Sequence, residues 1–449
     1  MGKYLNSPMT YMACEEMIRN PYFVDKSKGL EEILTVGTHY NQYLCITRPR
    51  RFGKTVMANM LAAFLSTGLD GKKLFDPLMI GGSPICSQYQ NQCQTICISF
   101  NEMPRRCTSY DQYISRIESQ LIADLKKEYP QIPLDEQNAV WDIFTDICLE
   151  TGSKFVFILD EWDYIFHQDF VSDEDKASYL SFLRNLLKDK SYVLLAYMTG
   201  ILPISKYSSG SELNMFWEYT MINEERFSEN FGFTEQEVDE LYERYLTRTP
   251  SPRLTRESLR DWYDGYHTFG GERVYNPRSV VAALSNNNLG NYWTSSGPYD
   301  EIYYYIRNNI ADVRNDLAMM VSGEKVPCRI QEYAATAMNL ETREEIFSAM
   351  VVYGFLSYDS GKLSIPNREL MGQFETMLRK EKDLGYVYRL ARESQRMLQA
   401  TLAGDTQTMS EILEFAHNTE TPLFNYNHET ELSAIVNLVY LAARDDYRV

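Results

Sequence analysis

Gly53-Lys54-Thr55 lies between a short apolar run, Tyr43-Leu44-Cys45-Ile46, and a stretch in which Val56, Met57, Met60, Leu61, Phe64 and Leu65 recur at helical spacing. Strand, glycine turn, then helix is an order suited to holding a triphosphate. The glycine lets backbone N–H groups approach the phosphates closely, and the helix N-terminus adds its positive end. Lys54 can reach the outer phosphates, and the Thr55 hydroxyl can ligate magnesium. The ordinary pattern carries another glycine five residues before Gly53, where this chain has Arg48. Arg48, Pro49, Arg50, Arg51 and Phe52 complete the candidate phosphate-binding loop, with Pro49 stiffening it in place of the missing glycine.

A second group of the same chemistry follows. The apolar run Phe155-Val156-Phe157-Ile158-Leu159 ends directly in Asp160-Glu161. In nucleotide-hydrolysing folds a carboxylate at such a strand end orients magnesium, and the adjoining glutamate polarises the attacking water. The expected cofactors are therefore ATP and Mg2+, with Thr55 and Asp160 on the metal and Lys54 and Glu161 in catalysis. Thr199, in Met198-Thr199-Gly200, stands at the end of a later apolar run and is a third candidate, as the polar sensor of the γ-phosphate. Arg50, Arg51 and Arg226 are candidates for stabilising transition-state charge, and the residues alone do not choose among them.

These groups need a scaffold. Runs at 43–46, 96–100, 155–159 and 192–198 read as strands, separated by helical patterns at 110–127 and 134–149 and by a helix that Ser172 and Asp175 would cap. Apolar strands alternating with helices predict an α/β fold, a parallel sheet covered on both faces, over residues 1–225. From 226 the pattern changes. Thr234 and Glu237 open one helix and Asn276-Pro277 another. A hairpin is expected from Phe355 to Ile365 around Asp359-Ser360-Gly361. Residues 226–370 thus read as a mostly α-helical lid with a winged-helix-like element, and 371–449 as a further helical segment.

Composition narrows the partners. The formal net charge is −18, which argues against a broad nucleic-acid face. The densest local cluster of positive charge is the loop itself. No run is long and apolar enough to span a membrane, and residues 1–20 lack the apolar stretch of a secretion signal. The eight cysteines form no CxxC pair, so reduced thiols in a cytoplasmic protein are the expectation. An oligomer or a partner protein is left open.

Tyr22-Phe23-Val24-Asp25-Lys26-Ser27, the Arg48–Thr55 block, Ser99-Phe100, Leu159-Asp160-Glu161-Trp162-Asp163 and Thr199-Gly200-Ile201 together resemble the bacterial AAA-ATPase-like family. Phe231-Gly232-Phe233-Thr234, Trp262-Tyr263-Asp264-Gly265-Tyr266, Tyr275-Asn276-Pro277 and Ile365-Pro366-Asn367 extend the resemblance along nearly the whole chain. Trp162 departs from it, since the family more often has Tyr there. The resemblance implies a P-loop NTPase core of the ASCE, AAA-like type, and places Val24, Asp25 and Lys26 near the base or sugar of the nucleotide. It also implies that nucleotide state is coupled to an appended PD-(D/E)xK nuclease-like domain. The helical lead-in to such a domain reads from about Tyr386 through Glu431, but its catalytic strands are not found. No nuclease activity is expected from this chain, which reads as a truncated or naturally shortened form. Glu431 is a weak candidate for an accessory metal ligand. Two other readings stand beside the magnesium-dependent ATPase. One is a nucleotide-dependent switch or scaffold with little hydrolysis. The other is an ATPase-gated nuclease effector, should the native chain continue beyond 449.

Overall fold

A computed structural model describes residues 1–204, 212–293, 310–330, 340, 342–380, 386–418, 429–445 and 447. The chain forms two compact units, Met1–Arg248 and Thr249–Val449.

The first unit is built on five parallel strands: β1 (Tyr43–Thr47), β2 (Gln94–Ser99), β3 (Phe155–Asp160), β4 (Val193–Gly200) and β5 (Trp217–Tyr219). Their order across the sheet is β2-β3-β4-β1-β5, with every neighbouring pair parallel. All residues of β1 and β3 are buried, as befits central parallel strands with helices on both faces. On one face Leu44, Ile46, Val156, Ile158 and Leu195 pack against α2 (Lys28–His39) and α3 (Lys54–Leu65), with α1 (Pro8–Ile18) alongside α3. On the other, Phe155, Phe157 and Leu159 meet α4 (Tyr110–Glu128), α5 (Val140–Thr151) and α6 (Asp173–Leu187). Phe144 of α5 is central there. Its ring lies 4.9 Å from Phe155, 5.3 Å from Phe157 and 5.3 Å from Tyr192.

Three details differ from the sequence expectation. A fifth strand, β5, exists; three residues with Trp217 half exposed give no periodic signal of their own. The helix expected from 134 begins only at Val140, because the Asp135 carboxylate accepts from the Gln137 amide at 2.9 Å and holds a turn. The first unit also runs past 225 to Arg248. Its last helix, α7 (Glu235–Arg248), is tied back by Lys26, which bonds the Glu229 carbonyl at 2.5 Å and the Glu237 carboxylate at 2.7 Å. Arg244 adds a bond to the Phe23 carbonyl at 2.7 Å.

In the second unit α8 (Arg256–Tyr263) leads into a two-stranded hairpin, β6 (Tyr266–His267) and β7 (Arg273–Val274), and then α9 (Pro277–Asn286). The expected start of α9 at Asn276-Pro277 is present, and the Asn276 side chain also caps it, accepting from the Ser279 amide at 3.2 Å. After α10 (Ile310–Val321) come β8 (Val326–Pro327), α11 (Arg343–Tyr353) and the expected hairpin, β9 (Ser357–Asp359) with β10 (Lys362–Ser364). Strand β8 adds to it, giving the order β8-β10-β9. Gly265 adopts φ +110°, and a Cβ there would lie 1.8 Å from the Pro366 carbonyl oxygen. Only glycine fits such a position. The backbone of Trp262–Tyr266 is thereby pressed onto Ile365-Pro366-Asn367, so two of the sequence blocks noted above serve packing within this unit. Helices α12 (Arg368–Lys380), α13 (Tyr386–Ala403), α14 (Thr406–Asn418) and α15 (Glu429–Val439) follow. Asn427, His428 and the side chain of Glu431 lie outside the described residues.

Candidate functional site

The parallel sheet brings the candidate residues to the carboxyl ends of β1, β3 and β4, where open α/β sheets bind ligands. Strand β1 ends at Thr47 and α3 starts at Lys54. Between them the backbone enters the left-handed region twice, at Arg51 (φ 71°) and Gly53 (φ 94°). Gly53 caps α3 without a side-chain bond to its first turn, so the leading N–H groups of the helix are left for an anion. The Lys54 ammonium is buried and donates to the carbonyls of Arg48 at 2.8 Å and Pro49 at 2.9 Å. Burial lowers its pKa to about 8, against the opposing pull of Asp163, Asp160 and Glu161.

Strand β4 separates β3 from β1, and this insertion sets the chemistry. Thr199, fully buried near the end of β4, donates its hydroxyl to Asp160 Oδ1. The Thr55 hydroxyl is near enough to the same carboxylate to help lower its pKa. Asp160 thus gathers one hydroxyl from the first turn of α3 and one from β4. Its pKa is raised by burial, with the two hydroxyls and Lys54 pulling the other way. Glu161 follows with φ 53°. Burial, and then the neighbouring Asp160 charge, raise its pKa, while the nearby Asn101 side chain lowers it.

Sequence reasoning missed Asn101 and the role of Asp163. Asn101 lies two residues beyond the end of β2, and only the strand order puts it beside Glu161. The buried Asp163 carboxylate accepts from the amides of Ile201 at 2.9 Å and Leu202 at 2.8 Å. A Cβ on Gly200 would lie 2.5 Å from Trp162 Cδ1 and 2.7 Å from Asp163 Oδ1. The turn after β3 and the end of β4 are therefore locked together, which fixes Thr199 against Asp160. Trp162, fully buried, completes the lock by donating Nε1–H to the Leu202 carbonyl at 3.3 Å.

The remaining candidates have these surroundings. The Arg48 side chain is buried and bonds main-chain carbonyls, so it offers phosphate its backbone and not its guanidinium. Asp25 accepts from the amides of Ser27 at 2.9 Å and Met79 at 2.6 Å. With Lys26 committed to Glu229 and Glu237, both charged groups are engaged in packing the N-terminal segment; Val24 is half buried beside them. Arg226 lies 3.9 Å from Glu32 and 5.6 Å from the Tyr40 ring, within its own unit. Phe52 is buried, and its carbonyl accepts from Gly232 at 3.2 Å. Arg50 is half buried and Arg51 exposed.

A five-stranded parallel sheet of this order, with a glycine-lysine-threonine loop after β1 and an acid pair after β3, has the core architecture of a P-loop NTPase fold. Residues 8–209 match the family model AAA-ATPase-like, described as a predicted AAA-ATPase. It is also 26% identical over 281 residues to an uncharacterized protein in the vnfD 5' region of Azotobacter chroococcum mcd 1. That match covers 62% of this chain and 51% of the relative, so it spans about half of the relative's length. Among solved structures, the Walker-type ATPase of Pyrococcus abyssi is similar at 12% identity and a TM-score of 0.45, covering 78% of this chain and 94% of that one. The ORC2 protein of Aeropyrum pernix, an ADPNP–ADP complex, is similar at 11% identity and a TM-score of 0.38, covering 78% of this chain and 92% of the other.

Proposed function

We propose that this chain binds ATP with magnesium at the Arg48–Thr55 loop and hydrolyses it. The observation that carries the reading is Asp160, whose carboxylate accepts the Thr199 hydroxyl and has the Thr55 hydroxyl near enough to help lower its pKa. A threonine hydroxyl beside a carboxylate is a hard oxygen donor set that suits magnesium and leaves room for its waters. Magnesium, when bound, would neutralise charge on the β- and γ-phosphates. Thr55 and Asp160 would hold it, and the amides that begin α3 would bind the phosphates. Lys54 would leave the loop carbonyls for the outer phosphates. Thr199 would keep Asp160 oriented and stand within reach of the γ-phosphate. Glu161 would take the proton of the attacking water, and its raised pKa keeps it closer to neutrality than a free glutamate, as suits a general base.

The test is Glu161→Gln in the full chain. Turnover should fall by about a hundredfold or more while nucleotide affinity changes only a few-fold. Hydrolysis that survives this substitution would falsify the role given to Glu161.

A second reading, a nucleotide-dependent switch with little turnover, is favoured by the nearness of Asn101 to Glu161, which lowers the pKa of the proposed base. Tight nucleotide binding without phosphate release would favour it over the first. Coupling to a nuclease-like domain rests on the family resemblance alone. Among the described residues no cluster of three or more His, Cys, Asp or Glu could hold a metal ion, and no helix is long and apolar enough to cross a membrane. A nucleic-acid partner finds little support in α11, which is buried along most of its length and carries Glu344 and Glu345 in its first turn.

A further inference from the structure

Arg48 stands where the ordinary loop has glycine, and its surroundings explain why. The residue is 2% exposed. One terminal nitrogen donates to the carbonyls of Thr47 and Tyr219, each at 2.8 Å, and the other to the carbonyl of Phe227 at 3.2 Å. The guanidinium carbon lies 5.2 Å from the centre of the Phe231 ring. Among the described residues no carboxylate lies within ion-pair distance of it. A buried cation satisfied by carbonyl dipoles alone carries a desolvation cost that a purely structural site would avoid. It persists here beside a loop built to receive several negative charges.

Two of the three carbonyls it binds, those of Tyr219 and Phe227, belong to one continuous stretch. Tyr219 ends β5, its ring packs edge-on against Phe227 at 4.9 Å, and Phe231 precedes Gly232, whose amide bonds the Phe52 carbonyl of the loop. That stretch runs directly into α7. We propose that Arg48 is a positioning residue: it ties the phosphate loop to residues 219–232, so that phosphate bound in the loop is sensed by the segment entering α7. This rests on the nucleotide-binding reading above. The mechanism is electrostatic and mechanical together. Phosphates in the loop supply the negative charge that the guanidinium lacks, which favours its buried, bonded position against the Tyr219 and Phe227 carbonyls. Reciprocally, loosening residues 219–232 must weaken nucleotide binding by the same factor.

The experiment is amide hydrogen exchange on the full chain, with and without magnesium and saturating ATP or ADP. It compares the native protein with Arg48→Lys, Arg48→Gly and Lys54→Ala. In the native protein, nucleotide should slow exchange at 48–56 and, by about fivefold or more, at 219–232. Arg48→Lys keeps the charge but not the planar fork. It should still bind nucleotide, yet exchange faster at 219–232 without nucleotide and lose most of the response there. Arg48→Gly should do the same more strongly. Lys54→Ala should lose nucleotide affinity and leave the nucleotide-free exchange at 219–232 unchanged. Unchanged exchange at 219–232 in both Arg48 variants would overturn the anchor. A native response confined to 48–56 would overturn the coupling. So would an Arg48→Lys defect that grows from ADP to ATP with normal nucleotide-free exchange, which marks a direct phosphate contact. If native protein shows no protection at 48–56 with either nucleotide, the nucleotide reading itself fails and the coupling falls with it, while the nucleotide-free comparison still decides the anchor. If neither Arg48 variant folds, the native response at 219–232 decides.

Discussion

Lys54 offers a quantitative test of the phosphate loop. Burial lowers its ammonium to about pH 8 in the nucleotide-free protein, within the range where binding can be measured. Bound phosphates favour the charged form, so they raise this pKa, and binding above pH 8 must take up a proton. Affinity should therefore be nearly level below pH 7.5 and fall as pH rises through 8. Between pH 7.5 and 9.5 the protonated fraction drops from about three-quarters to about 3%, so the dissociation constant should rise about 25-fold, equivalent to about 2 kcal/mol. Phosphate monoesters complete their ionisation near pH 6, so the nucleotide itself adds little over this window. Titration calorimetry with ADP or ATP in two buffers of different ionisation enthalpy reads both the affinity and the proton uptake. Lys54→Arg stays charged throughout and should bind with a flat profile. A flat native profile, or the same slope in Lys54→Arg, would show that Lys54 does not carry the effect.

Other expectations follow from close approaches and the core. Gly200→Ala places a methyl 2.5 Å from Trp162 and 2.7 Å from Asp163. It should cost about 1–3 kcal/mol in urea unfolding and lower turnover more than nucleotide affinity, because Thr199 moves with it. Turnover falling no more than affinity would separate the lock from the chemistry. Gly265→Ala meets the Pro366 carbonyl at 1.8 Å with φ +110°. It should sensitise Thr249–Val449 to limited proteolysis while protection of the first unit by nucleotide persists; unchanged proteolysis would refute the close contact. Phe157→Ala removes a fully buried ring between Phe144 and Tyr192 and should cost about 3–5 kcal/mol by chemical denaturation. A loss below about 1 kcal/mol would mean that this face of the sheet is not packed as described.

The contiguous part of the site was legible without coordinates, because its chemistry is local. Glycine, lysine and threonine act from three successive positions, and Asp160-Glu161 follows a strand whose uniform apolarity already marks it as central. Local signals likewise gave the capping box at Ser172 and Asp175, present in α6, and the helix start at Asn276-Pro277. What local pattern could not supply was anything set by chain crossing. The contact of Thr199 with Asp160 joins residues 39 apart and exists because β4 enters the sheet between β1 and β3. Asn101 reaches Glu161 for a similar reason, since β2 and β3 are neighbours in register. Strand β5 is too short to announce itself, and it forms because β1 offers it a pairing edge. Arg48, Asp25 and Lys26 are charged residues beside a phosphate loop, and sequence alone assigns such groups to the ligand. In the folded chain their charges meet carbonyls, amides and carboxylates of the protein, partners that come from distant segments and that no local pattern announces. Local sequence was enough to mark a candidate phosphate loop and an acid pair, because each is contiguous; which side chains face that loop and which hold it in place depended on strand order and long-range packing.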